Sequence, residues 1–284
     1  MSALETLLAG LFDYAGLYPP AGLSLHSAAN NYLEYIRGEH RRALGRFIIN
    51  LDRLEEFRSV AGDSIANFRL SVIAGEDAHL NSVVSQIGFG LRVEAVEIKC
   101  SDPQAIESNT KKIPPGCEVY FEVPITLRSK TVLEAIGAAG ARLKIRMGGV
   151  TREAIPAATE VAEILKALSD SHLPFKATAG LHHPLRSIQP LTYEPQCPTG
   201  VMHGFVNLTA AAALLYFDGT VDEATLLLTE ENATAWCLSE DSLRWRDHMW
   251  TTEQLATVRQ KFFMSIGSCS FVEPVQDLKS LGWL

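Results

Sequence analysis

Cysteine is scarce and unpatterned in this sequence. Its five residues, Cys100, Cys117, Cys197, Cys237 and Cys269, are odd in number, scattered and never spaced as CxxC. That excludes a disulfide framework or a zinc ribbon as the organising device. Long apolar runs are missing too, and none reaches the roughly 20 residues that a membrane-spanning helix needs. Positive charge is in deficit, with 25 Lys and Arg against 33 Asp and Glu for a net charge of −8. Such a balance gives neither nucleic acid nor an anionic membrane a reason to bind. The start, MSALETLLAGLFDYAGLYPP, has no basic region ahead of its apolar residues and carries Glu5 and Asp13 among them. No secretory signal is expected, and the cytoplasm is the expected compartment. No HExxH or HxH spacing occurs, no GxGxxG follows the first strand-like run, and no repeat or low-complexity linker divides the chain.

What is present is a regular alternation of strand-like and helix-like segments. The runs GRFIINLD, FRLSVIAG, VEAVEIKC, CEVYFEVP, ARLKIR and PFKATAG read as strands one to six. Between them LEEFRSVAG, DAHLNSVVSQIGFG, DPQAIESNTKKI, SKTVLEAIGAAG and TREAIPAATEVAEILKALSDSH have helical periodicity. MHGFVNLTAAAALLYF reads as strand seven running into a helix, and WCLSEDSLRWRDH holds the weakest segment, strand eight. Alternation of this kind over 284 residues predicts one α/β domain, a closed (β/α)8 barrel. The expected partition is an N-terminal helix and loop extension over 1–43, the barrel over 44–265 and a tail over 266–284, and MSIGSCSFVEPVQDLKSLGWL reads as a glycine loop and a final short helix. A doubly wound open sheet is the alternative, weakened by the missing glycine-rich first turn.

The chain is organised around residues 142–184. In RLKIRMGG, alternation puts Leu143, Ile145 and Met147 on one strand face and Lys144 and Arg146 on the other. In PFKATAG it separates Phe175 and Ala177 from Lys176 and Thr178. Three cations on one face of adjacent parallel strands run against the global charge and predict a polar pocket at the C-terminal strand ends. Glu97, Lys99 and Glu122 join them as inward residues near strand ends, and His203 and Asn207 follow on the expected strand seven. Ion pairs that merely fill the barrel are the competing explanation, and a poor stabilising device beside apolar packing.

Individual roles follow from residue chemistry. Lys176, near other cations and partly desolvated, is expected to have a lowered pKa and to serve as a nucleophile toward a carbonyl. Lys144 and Arg146 would tune it and hold an anion, Arg146 through bidentate geometry. Glu122 or a histidine would move protons. Gly148 and Gly149 either bring backbone N–H groups to a phosphate or carboxylate, or make a tight turn. His182 and His183 are adjacent and must point different ways, which suits acid/base work or hydrogen bonding better than shared metal binding. No cofactor is called for. A metal held by one of these histidines with His203 and Glu97 or Glu122 is the lesser alternative. Asn207 would orient substrate, Asp13 and Tyr14 belong to a lid or a plug, and Cys269 is structural. Arg246, Asp247 and His248 lie close enough in the expected order to reach the site.

Two resemblances add to this reading. DYAGLYPPA, KIRMGGV, FKATAGLHHPLR and SIGSCSFVEP together resemble bacterial (β/α)8-barrel proteins, which implies a fold and no activity. FKATAG resembles the Schiff-base lysine strand of the class I aldolases, the deoxyribose-phosphate aldolase family in particular. In that family the lysine lies on strand six, with Thr and Gly following, and a second lysine on strand seven lowers its pKa. The resemblance implies imine formation at Lys176, with Lys144 standing in for the second lysine. A lyase of aldolase type acting on a small anionic carbonyl compound is therefore the leading expectation. A transferase or decarboxylase, similar to phosphoribosyltransferases of barrel type, would use the same cations only for binding, and a non-catalytic small-molecule binding protein is the third class. A homo-oligomer is compatible with all three.

Overall fold

The computed structural model describes residues 1–75, 90–126 and 129–284. Eight parallel strands close into a barrel: β1 (Phe12–Tyr14), β2 (Leu44–Asn50), β3 (Leu70–Gly75), β4 (Val93–Lys99), β5 (Glu118–Glu122), β6 (Arg142–Arg146), β7 (Phe175–Thr178) and β13 (Phe263–Ser268). Each pairs in parallel with its neighbour, and β13 closes the ring by lying between β7 and β1. The outward strand faces carry Phe47, Ile49, Leu143, Ile145, Phe175 and Ala177, all buried. They face the apolar stripes of helices such as α6 (Ala158–Asp170), whose Val161, Ile164, Leu165 and Leu168 are also buried. The fold is a single-domain (β/α)8 barrel. The helix expected over DAHLNSVVSQIGFG spans residues 77–90, of which 77–89 lie outside the described residues.

Three expected elements lie elsewhere. The first barrel strand is FDY, inside the segment read as an extension: Phe12 and Tyr14 point outward into aromatic contacts with Phe205 and Tyr35, and Asp13 points inward. Every later strand therefore moves up by one place, so the strand holding Lys144 is sixth and the strand holding Lys176 is seventh. The expected strand seven is instead β9 (Thr199–Met202), which pairs antiparallel with β8 (Ser187–Pro190) in a hairpin outside the barrel. The expected strand eight forms a separate antiparallel sheet of β10 (Trp236–Leu238), β11 (Ser242–Trp245) and β12 (His248–Thr251). Trp236, Trp245 and Trp250 bury their rings there, and β13, read from sequence as a glycine loop, closes the barrel.

Among the described residues no helix is long and apolar enough to cross a membrane.

Candidate active site

Alternation along the strands fills the barrel interior with charge. Asp13 on β1, Glu97 on β4, Glu122 on β5, Lys144 and Arg146 on β6 and Lys176 on β7 form one connected ladder. Lys176 Nζ lies 2.6 Å from Asp13 Oδ2 and 2.7 Å from Glu97 Oε1. The other oxygen of Glu97 lies 2.7 Å from Lys144 Nζ, which is also 2.7 Å from Glu122 Oε2. Arg146 Nε completes the ladder 3.4 Å from Glu122 Oε1. Side-chain exposure rises along it, from 0% at Lys176 and 1% at Glu97 to 5% at Lys144, 20% at Glu122 and 55% at Arg146. The ladder thus runs from the sealed interior to the C-terminal mouth, where barrel sites form.

Hydroxyls and an aromatic ring supply the remaining contacts. Ser265 Oγ donates to Asp13 Oδ2 at 2.8 Å, and Ser71 Oγ donates to Glu97 Oε1 at 2.6 Å. The Arg46 backbone N–H donates to Asp13 Oδ1 at 2.8 Å. The Tyr120 ring centroid is 5.3 Å from Lys176 Nζ, within cation–π range. At the mouth, Tyr18 donates its hydroxyl proton to Asn50 Oδ1 at 2.7 Å, and burial with the Glu97 charge nearby raises its pKa. Asp13, Ser71, Ser265 and Tyr120 were not singled out from sequence as members of this site. Only Asp13 carried a signal, as a charged residue flanked by two aromatics.

The electrostatics overturn the expected state of Lys176. Burial alone would lower its pKa, but the Asp13 and Glu97 carboxylates outweigh that effect and raise it. Lys176 is an ammonium at neutral pH. Glu97 is the mirror case: burial opposes its ionisation, and Lys144 and Lys176 nonetheless hold it well below the ordinary carboxylate range. Glu122 is lowered in the same way, with Lys144 the foremost cation. Three cations meet three carboxylates, so the strand face read as an excess of positive charge is balanced.

Other expected site residues disperse. Lys99 is exposed and joins no ion pair among the described residues. Thr178 is half-buried, in register with Arg146 and Gly267. Gly148 packs on a neighbouring turn: a Cβ there would sit 3.0 Å from the Cα of Gly180, whose own φ is +67°. Gly149 faces the Ala154 methyl, where an added Cβ would approach to 2.8 Å. Both glycines are accounted for by close packing.

His182 is buried with Nδ1 3.1 Å from Ser268 Oγ, and Cys269 Sγ is nearly equidistant from its two ring nitrogens at 3.9 and 3.8 Å. The thiol therefore has a histidine neighbour that sequence spacing did not reveal. Burial pushes Cys269 up to about 11 and His182 down to about 4, so at neutral pH the pair is thiol and neutral imidazole. His183 turns the other way, with Nδ1 2.6 Å from Asp277 Oδ2. His203 follows the β8–β9 hairpin, with Nε2 2.8 Å from the Pro156 carbonyl oxygen. The ligand set imagined for a metal is not assembled, and no group of three or more His, Cys, Asp or Glu among the described residues could hold one.

Asn207 is buried in α7 (Phe205–Tyr216), away from any barrel strand. Its Nδ2 donates to the carbonyls of Leu227 and Glu230 at 2.8 and 2.9 Å, and its Oδ1 accepts from the Arg186 N–H at 3.0 Å. It ties loops together, and both of its amide protons are committed to backbone carbonyls. Arg246, Asp247 and His248 lie at the β11–β12 turn, where Arg246 Nη2 pairs with Glu230 Oε2 at 2.6 Å and His248 stacks between Trp245 and Trp250.

Fold and site together define a (β/α)8 barrel with a charge-balanced ionic ladder leading to its C-terminal mouth. Neither a protein-family model nor a curated protein sequence matches the chain. Among solved structures it is similar to a FabK mutant from Thermotoga maritima, at 16% identity and a TM-score of 0.41, over 76% of this chain and 62% of that one. It is also similar to nitroalkane oxidase from Streptomyces ansochromogenes, at 14% identity and a TM-score of 0.34, over 64% of this chain and 62% of that one. The chain thus spans about 62% of the length of each. Likenesses this distant carry no argument about chemistry.

Proposed function

We propose that the C-terminal mouth is the active site of an enzyme acting on a small carbonyl compound by amine chemistry of aldolase type, with Lys144 as the imine-forming residue and Lys176 as its fixed cationic companion. The observation that carries this reading is the corrected strand count. With Phe12–Tyr14 as strand one, Lys144 is on strand six and Lys176 on strand seven. Those are the two positions that the aldolase resemblance assigns to the imine lysine and its partner. The Thr and Gly that follow the imine lysine in that family follow Lys176 here, so local context and strand position favour different lysines. Burial favours Lys144. Lys176 is sealed and held as an ammonium between two carboxylates, whereas Lys144 is one step from the half-buried Glu122 and the exposed Arg146.

In this mechanism Lys144 passes one proton to Glu122, 2.7 Å away, and its free amine attacks the carbonyl carbon. Glu122 returns the proton to the carbinolamine oxygen, water leaves and a protonated imine forms. Glu122, ionised again, then takes the proton of the substrate's β-hydroxyl, and the iminium accepts the electron pair of the bond one carbon further out as that bond breaks, releasing the hydroxyl carbon as a second carbonyl fragment. Protonation of the resulting enamine and hydrolysis of the imine restore Lys144. Lys176 keeps Glu97 ionised throughout, and Arg146 offers a guanidinium to a carboxylate or phosphate on the substrate. The transferase reading uses the same cations only to bind an anion, and their pairing with carboxylates along the ladder speaks against that use.

The test is borohydride reduction in the presence of a panel of small aldehydes and keto acids, followed by intact-mass analysis and peptide mapping. A stable adduct on Lys144 supports the proposal. An adduct on Lys176 reverses the two roles, and the absence of any adduct in folded protein sinks imine chemistry at this site.

A further inference from the structure

The opposite end of the barrel carries a second arginine-rich constellation that the proposed chemistry does not use. Arg46, Arg69, Arg92 and Arg142 all stand at the N-terminal ends of β2, β3, β4 and β6, or one residue before them. Two carboxylates serve all four. Glu94 takes Arg46 at 3.2 Å, Arg69 at 3.0 Å and Arg92 at 2.8 Å. Glu118 takes Arg46 at 2.8 Å and also Arg142. A ring of ion pairs built only to plug a barrel would match its charges. Here four guanidinium groups face two carboxylates, in a chain whose overall charge is −8.

A fifth arginine adds an independent observation. Arg259 is 8% exposed and has no carboxylate partner among the described residues. Its guanidinium donates to the carbonyls of Ala9 (3.1 Å) and Phe263, which precede or begin β1 and β13 at this same end, and its Nε is buried without a hydrogen bond. Burial lowers its pKa to about 10, only partly opposed by the Asp13 charge, whereas the directly paired Arg46 and Arg142 are raised. An unpaired buried cation is costly, and buried charges in proteins are ordinarily paired.

The geometry points to a binding site for a phosphate-bearing dianion at the N-terminal mouth of the barrel, entered past Arg69 and Arg92 and completed by the excess positive charge behind them. The side chains of Arg69 and Arg92 are 41% and 62% exposed, so an approaching anion meets them first. Planar guanidinium groups suit bidentate binding of phosphate oxygens. The site also touches the ladder. Tyr120 donates its hydroxyl proton to Glu118 Oε2 at 2.8 Å and accepts from Arg142 at 3.3 Å, while its ring faces Lys176. An anion that draws Arg142 away from Glu118 therefore acts on a residue that packs against the deep end of the active site.

The experiment is calorimetric titration of the full chain with inorganic phosphate and, separately, with a phosphate monoester such as glycerol phosphate, at constant ionic strength. Saturable binding near one per chain is expected, weakened at least tenfold in Arg69→Gln/Arg92→Gln and unchanged in Lys130→Gln, an exposed cation paired with Glu134 at 3.6 Å on an outer helix. The exposed single variant Arg92→Gln, expected to weaken binding several-fold, keeps the test decisive if the double variant does not fold. Tighter binding of the monoester would identify a phosphorylated metabolite as the ligand, and equal binding would identify free phosphate. No saturable binding of either, or binding lost in Arg146→Gln at the other mouth but kept in the N-terminal variants, overturns the site.

Discussion

Asp13 and Lys176 stand 163 residues apart in sequence, yet their charged atoms meet at 2.6 Å inside the barrel. One comes from the first strand and the other from the seventh, with only β13 between them. Their contact, with Ser265 of β13 hydrogen-bonded to the same carboxylate oxygen, fastens the seam where the barrel closes. Removing one partner leaves the other charge buried with too little compensation. Asp13→Asn should therefore lower unfolding free energy by about 3–5 kcal/mol. Equilibrium urea denaturation checks this, and a loss under 1 kcal/mol would show that Glu97 alone suffices for Lys176.

Acid should destabilise the protein in two stages. His182 has a folded pKa of about 4, lowered first by burial and then by His183. Between an unfolded value of about 6.5 and that folded value, the unfolded chain binds the proton and the folded one does not. Stability is thus full above about pH 6.5 and falls by about 3 kcal/mol as pH drops to 4. The carboxylates act later. Glu118 is lowered to about 2, burial opposing the shift and Arg46 foremost in causing it, and Glu97 and Glu122 are lowered as well. Their contribution is present above the unfolded value of about 4.3 and is lost as pH falls through the folded values. Urea midpoints measured from pH 7 to 3 should show both stages, and His182→Leu should flatten the first. A first stage unchanged in that variant would assign it to His203, whose pKa burial also lowers.

Gly148 separates close packing from anion binding by experiment. A methyl group at this position would sit 3.0 Å from Gly180 Cα, and backbone on both sides leaves little room to yield. Gly148→Ala should cost about 1–3 kcal/mol as an overpacking defect. If the glycine pair instead served an anion, thermal unfolding without ligand would be unchanged and only ligand affinity would suffer.

How much of this was legible depends on strand length and on which face carries the information. KIR and FKAT announced themselves because charge alternates with large apolar residues, and the βα alternation from GRFIINLD onward fixed the barrel class. FDY did not, because three residues give no measurable period and a proline-rich loop follows. FMSIGS places Ser and Gly toward the crowded interior, so it read as a glycine loop. MHGFV and WCL carry genuine strand character, but their pairing is antiparallel and local, and single-strand patterns do not encode the partner. Missing FDY shifted every strand number by one. That error concealed Asp13 as the partner of Lys176 and put Lys176, instead of Lys144, on the strand-six position of the aldolase pattern. The arginine-rich N-terminal mouth was hidden for a related reason. Its residues open five different segments, and only barrel closure brings them together.

Asn207 was expected to orient substrate and instead spends both amide protons, and one acceptance at its oxygen, on backbone groups. Two carbonyls at the end of α8 (Val221–Leu228) and beyond accept from its amide, and the Arg186 N–H donates to its oxygen. Truncation to Ala leaves those buried backbone groups unsatisfied. The expected cost is about 2–4 kcal/mol. Because the side chain is remote from the ladder, borohydride trapping at Lys144 should proceed in Asn207→Ala at the wild-type rate wherever the variant remains folded. A substrate-orienting asparagine would behave in the opposite way, leaving the urea midpoint in place and slowing adduct formation. Measuring both quantities on one preparation distinguishes a residue that builds the barrel's flank from one that serves its mouth.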